Sequence, residues 1–219
     1  MSLAPMRSEP SQTGCGEVRT PLSEVVLEGE LVRLEPLTND HSVAMLEAAS
    51  TDRSTFGLTS VPKATPEAVA LYISKAQEQH ERSEGLAFAT IRRSDDRVVG
   101  STRFMSAEYW EPIEEQTRST PIAIEVGYTW LISEAQRTGI NAEAKVLMFN
   151  YAFDVLGVER ITLKTDARNE RSRRNIERAG ATFDGILRRH MPASDGGYRD
   201  SAMYSLLREE WLDRRGERK

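Results

Sequence analysis

The segment LVRLEPL, residues 31–37, alternates apolar and polar positions, as a half-buried strand requires. Thr38 or Asn39 can cap a following helix with Val43, Leu46 and Ala49 inward. A second helix starts at Pro66, with Val69, Leu71, Ile73 and Ala76 as its apolar positions. Strands over 86–92 and 98–105 flank a short polar turn and read as an antiparallel hairpin. A polar loop, YWEPIEEQTRST, precedes a strand over 122–131, and EAQRTGINAEAK then runs into a helix over 141–156. A strand over 161–165 follows, then a helix over 169–179 closed by Gly180. Strands over 182–190 and 198–206 flank the turn ASDGG. The predicted order is β α α β β β α β α β β, an α+β fold with a mixed, mostly antiparallel sheet flanked by helices. Residues 1–24, rich in Pro, Ser, Gly and Thr, are expected to form a flexible leader. Residues 25–212 form one domain, and 213–219 a charged tail.

Composition narrows the function classes. The 219 residues suffice for one domain with a sizeable core. A net charge of −5 gives the surface no general attraction for nucleic acid or anionic lipid. No apolar run approaches the roughly 18 residues of a membrane span, and no secretory h-region follows the start. Cys15 stands alone, so no internal disulfide forms and a cytoplasmic setting is expected. His41, His80 and His190 are too scattered to make a metal-ligand set.

Three features carry chemistry. The helix from Asn141 has an apolar stripe of Ala144, Leu147, Met148, Tyr151, Ala152 and Val155, which lays it on the sheet beyond the preceding strand. Its first amides lack helical partners and its dipole is positive there, while Gly139 lets backbone approach a ligand closely. Strand, amide-rich turn and helix start make a site for an anion, most often a phosphate. The plainer alternative is that Gly139 makes a turn and Asn141 a cap. Neither a P-loop nor a dinucleotide G-x-G-x-x-G occurs.

In IAIEVGYTWL, one parity holds Ile122, Ile124, Val126, Tyr128 and Trp130 and the other Ala123, Glu125, Gly127, Thr129 and Leu131. One side is packed full, and the other leaves room beside a carboxylate. Such a Glu is paired with a neighbouring arginine or serves a purpose. Finally, Lys164, Arg168, Arg171, Arg173, Arg174 and Arg178 stand against Asp166, Glu170 and Glu177, six positive charges to three negative. Such a run is usually a solvated helix face, but beside an anion site it also supplies a basic wall. Asn169 reads as an N-cap.

The strand IEVGYTWL, the turn QRTGIN, its helix and the segment DARNERSRRNIERAGA together resemble the GNAT superfamily of acyl-CoA N-acyltransferases, in the RimJ/RimL-like branch. The resemblance covers about residues 27–208 and is most specific over 122–191. It implies that Gln136, Arg137, Thr138, Gly139, Ile140 and Asn141 occupy the Q/R-x-x-G-x-G/A turn that cradles the CoA diphosphate, with Asn141 in place of the usual Gly or Ala. Backbone near Trp130, Leu131 and Ile132 would pair with the pantetheine arm, and Asn169 and Ser172 match an N-x-x-S pattern. Many relatives carry a tyrosine general acid where this chain has Ile176, so Ser172 takes that role or none is needed. The family often bulges this strand, which would shift the parity around Glu125.

The resemblance further implies transfer from acetyl-CoA to an amine, with Glu125 as general base, Ser172 at the departing thiolate and backbone amides at the oxyanion. Phe56, Tyr109, Trp110, Glu114 and Glu115 are the candidates for an acceptor pocket, and His190 could face it. The first expected acceptor is a protein N-terminal α-amine. The rivals are a small amine, such as a polyamine, amino acid or antibiotic, and a silent acyl-CoA-binding module. Such branches often pair, so a homodimer is an open expectation.

Overall fold

The computed structural model describes residues 22–109 and 120–216, so Cys15, Trp110, Glu114 and Glu115 lie outside them. Eight strands form one sheet: β1 (Leu27–Glu28), β2 (Val32–Pro36), β3 (Leu86–Arg92), β4 (Arg97–Glu108), β5 (Ala123–Leu131), β6 (Arg160–Asp166), β7 (Thr182–Pro192) and β8 (Tyr198–Leu207). The spatial order is β1-β2-β3-β4-β5-β6-β8-β7. Every neighbouring pair is antiparallel except β5 and β6. Helices α1 (Ser42–Ser50), α2 (Pro66–Glu81), α3 (Ile140–Asn150), α4 (Glu170–Arg178) and α5 (Arg208–Arg215) complete the fold. The expected α+β architecture is the one observed.

The helices cover opposite faces of the sheet. On β4, Ser101 accepts a hydrogen bond from Tyr72 of α2 at 3.1 Å, while the next residue, Thr102, reaches Met148 of α3 at 3.6 Å. Successive strand residues point to opposite faces, so α2 and α3 sandwich the sheet. Between them lies a core that includes Phe88, Phe104, Ile124, Met148, Phe153, Ile161 and Tyr204, all essentially inaccessible to solvent.

Several inward assignments shift. Val43 and Leu71 face solvent, and α1 instead buries Met45, Ala48 and Ala49. Short helices with many apolar residues give a weak facing signal. In the turn after α3, the Leu156 amide bonds the Tyr151 carbonyl five residues back. That widened turn adds a residue to the face, so Leu156 is buried and Val155 exposed. At the N-terminal end, buried Leu22 belongs to the core cluster although it falls within the expected leader. At the other end, residues 208–215 form α5 rather than a tail from 213. Its Trp211 meets Phe149 edge-on at 5.4 Å between ring centroids and donates to Asn150 Oδ1.

Glu143, in the first turn of α3, accepts hydrogen bonds from the amides of Glu30, Leu31 and Val32 at 2.9, 2.7 and 2.8 Å. This ties the β1–β2 turn to the helix. A charged acceptor on three amides is worth more than neutral pairs. Glu143→Ala should therefore cost about 2 kcal/mol of stability, read as a lower midpoint of chemical denaturation, and Glu143→Gln should recover part of it.

Candidate active site

The site begins where β5 and β6 part. They pair in parallel only at Ala123↔Arg160, Ile124↔Ile161 and Glu125↔Thr162. Beyond Glu125 no ladder to β6 takes up the facing backbone groups of β5. On its other edge β5 stays paired to β4, but the register slips between Ser101↔Trp130 and Arg103↔Gly127. Gly127 and Tyr128 bulge there, and Tyr128 adopts a left-handed backbone with φ of 49°.

The bulge resolves the parity question. Glu125 and Gly127 pair with Met105 and Arg103, which face α2. Tyr128 faces the same way: the Arg103 guanidinium lies 4.8 Å from the Tyr72 ring and 4.9 Å from the Tyr128 ring. Thr129 turns to the α3 face, where its hydroxyl meets Thr102 at 2.8 Å. Trp130 falls back on the Glu125 side and stacks edge-on against Phe56. The predicted parity thus holds through Gly127 and inverts after it, because one extra residue swaps the faces.

Glu125 is buried and paired with a lysine rather than an arginine. Its Oε2 accepts from Lys164 Nζ at 2.7 Å, and both side chains are shielded. A Cβ at Gly127 would stand 3.0 Å from Glu125 Oε1, so the glycine leaves space beside the carboxylate. Burial, then the cations of Lys164 and Arg199, hold the His190 imidazole below its ordinary range, but His190 lines a separate surface cavity with Ile186, Leu187 and Arg189 rather than the cleft at Glu125.

The turn before α3 is built as expected. Gly139 is its N-cap at φ of 94°. The amides of Ile140, Asn141 and Ala142 have no helical acceptor, since the first helical bond runs from Glu143 to Gly139. Gln136 braces the turn: it donates to the Leu131 carbonyl at 2.9 Å and accepts from Arg171 at 2.9 Å. Thr138 donates to the Ala135 carbonyl. Ile132 and Ile140 are buried, and Arg137 is exposed with a left-handed backbone. Asn169 caps α4 by accepting from the Ser172 amide at 3.1 Å.

Two cavities converge here. A groove of about 910 Å³ lies between α3, α4 and α5, lined by Leu131, Arg137, Gly139, Asn141, Ile176 and the arginines 171, 174, 178 and 214. A second cavity of about 380 Å³ holds Glu125, Gly127, Tyr128, Lys164, Arg199 and residues 58–60 and 191–194. Both are lined by Thr59, Thr129, Lys145, Asn169, Ser172 and Ile176, so they meet through the gap between β5 and β6. The amides, the arginines and the unladdered strand edge suit a long ligand with a diphosphate at one end.

The expected basic wall is rearranged. Lys164 is taken by Glu125, Arg168 by Asp166 and Asp195, and Arg173 donates to Tyr204. Arg171, Arg174 and Arg178 remain on the groove, joined by Arg137 and Arg214. Phe56 packs under Trp130 and does not line the second cavity, while Tyr109 bonds the Ser83 carbonyl.

Lys145 is a site residue that the sequence reading passed over. It is buried on the inner face of α3 beside Ala144 and Met148. Among the described residues no hydrogen bond or ion pair engages its amine. Burial pushes its pKa down to about 8. A lysine inside an otherwise apolar i, i+3, i+4 stripe was the available signal.

An acetyltransferase (GNAT) domain family matches residues 32–182. The crystal structure of a GCN5-related N-acetyltransferase from Brucella melitensis is 31% identical, with a TM-score of 0.73, covering 88% of this chain and 84% of that one. Probable N-acetyltransferase YjcK of Bacillus subtilis (strain 168) is 27% identical over 186 residues, 83% of this chain and 97% of YjcK. RimL, a ribosomal L7/L12 alpha-N-protein acetyltransferase solved with coenzyme A, shares the fold at a TM-score of 0.66 and 18% identity, covering 84% of this chain and 98% of its own.

The buried amine has a measurable consequence. Unfolded, Lys145 keeps its proton up to its ordinary 10.5; folded, it releases it near 8. Between those values the unfolded chain binds more protons, so stability rises with pH across that window. Below pH 8 the full cost, about 3 kcal/mol, stands. Lys145→Met should raise the melting temperature at pH 7, with the gain shrinking as pH climbs from 8 towards 10.5 in thermal scans.

Proposed function

The chain belongs to the GNAT acetyltransferase family, and on that premise we propose that it moves an acetyl group from acetyl-CoA to a primary amine, first of all the α-amine at a polypeptide N-terminus. The observation that carries this reading is the junction of the two cavities, one edged with free amides and arginines, the other holding a buried carboxylate.

Amides at the start of α3, with Arg137 and the α4 arginines, hold the diphosphate. The open edge of β5 past Glu125 pairs with the pantetheine arm and directs it to the gap. Acetyl-CoA, when bound, supplies the thioester carbonyl that an amine can attack. Glu125, directly or through a water, takes the proton that the acceptor ammonium must lose. Lys164 holds the carboxylate in place. The second cavity is edged by residues 58–60 and 191–194, which suits a chain end laid in from outside. The named activity of the RimL relative, at a protein α-amine, agrees with that choice, although its likeness is one of fold.

Free-thiol release, measured across N-terminal peptides and small amines, tests the acceptor. Turnover on peptides is expected, turnover confined to small amines would redirect the reading, and CoA binding without any turnover would replace it. Glu125→Gln should lower kcat by about 10²-fold or more with CoA affinity nearly unchanged. Gly139→Asp should weaken CoA binding itself, seen by calorimetry, because it sets a carboxylate among amides meant for an anion.

A further inference from the structure

The six residues common to both cavities are Thr59, Thr129, Lys145, Asn169, Ser172 and Ile176, and among them only Lys145 titrates. It is buried, unengaged among the described residues, and set at the gap through which donor and acceptor must meet. The Asn169 side chain is occupied as a helix cap. Ile176 has no proton to give. The Ser172 hydroxyl can relay a proton but cannot supply one without a source behind it.

We propose that Lys145 is the proton donor to the departing CoA thiolate, a role that rests on the acetyl-transfer reading above. The acceptor nitrogen bonds to the thioester carbonyl carbon, and the carbon–sulfur bond breaks with its electron pair on sulfur. The Lys145 ammonium transfers one proton to that sulfur, directly or through Ser172, leaving a neutral amine and free CoA thiol. The acceptor sheds two protons, one from its ammonium before attack and one from the nitrogen once the carbon–nitrogen bond has formed; each passes through Glu125 to solvent, and solvent returns one to Lys145. The low pKa set by burial lies close to that of an ordinary thiol, about 8.5, so transfer is nearly balanced in either direction.

A buried ammonium with no carboxylate against it has a reason to persist if the anion it answers forms only during turnover. The charged groups facing Lys145 across the second cavity are the Glu125–Lys164 pair and Arg199. Those along the groove are Arg137, Arg171, Arg174, Arg178 and Arg214, and arginines keep their charge throughout the working range.

The test uses the full chain with CoA and three proteins: the wild type, Lys145→Met and Lys145→Arg. Calorimetry first establishes that each binds CoA. Absence of binding in the wild type would sink the acetyl-transfer reading itself. The ultraviolet absorbance of the bound thiolate is then followed with pH. In Lys145→Met the thiolate should appear about one pH unit or more higher than in the wild type, with kcat down by about 10²-fold. Lys145→Arg keeps a charge but cannot release a proton, so it should retain much of the thiolate shift and still lose rate. CoA binding with an unmoved thiol titration in Lys145→Met, or full kcat in Lys145→Arg, would overturn the donor role. So would acetyl-Lys145 formed in step with turnover, detected by mass spectrometry, because it would make the lysine a nucleophile.

Discussion

Two parallel strands that stop pairing after three residues set the terms for everything else in this molecule. Glu125 is the last residue of β5 in register with β6. A sheet interior does not tolerate unpaired backbone groups for long, so the opening has to be filled by side chains, solvent or a ligand. Here α3 and α4 frame the gap on one face and residues 58–60 and 191–194 edge it on the other. The bulge at Gly127 and Tyr128 serves the same opening. It turns Thr129 to the α3 face of the sheet while leaving Glu125 on the α2 face.

Charge placement around the gap follows from burial. Glu125 and Lys164 neutralise one another at 2.7 Å, and each is nearly withdrawn from water. A lone ion there would cost far more than a matched pair. Lys145 breaks that pattern, as the one buried cation among the residues shared by the two cavities that has no such partner. Strain of this kind lowers stability and is expected where a site answers a charge that appears in the course of a reaction.

Element order was legible because alternation and helical stripes are long-range patterns, and the β α α β β β α β α β β series appears with one short strand and one helix added. The turn at Gly139 and the cap at Asn169 were legible too, since both depend on local chemistry. What lay hidden depended on register or on distant partners. The bulge at Tyr128 needs β4 to define it, and no alternation within β5 announces it. The widened turn over 151–155 moved burial from Val155 to Leu156 by a single residue. Lys164 as the partner of Glu125 required knowing that β6 runs beside β5. Arg214 joined the groove through a helix that charge-rich sequence did not suggest.

Glu143 shows how one helix start can serve both structure and ligand. A carboxylate in the first turn is favoured by the helix dipole, yet left free beside an anion site it would repel a phosphate. The chain turns it away: three amides of the β1–β2 turn converge on its two oxygens. Gly29 is needed for that approach, because a Cβ there would stand 2.5 Å from the carboxyl carbon. The acid is thereby spent inside the fold, and the start of α3 meets the groove through Gly139, Asn141 and Ala142. The proposed anion site and the tie to the β1–β2 turn draw on the same turn of helix without competing, because they use opposite sides of it.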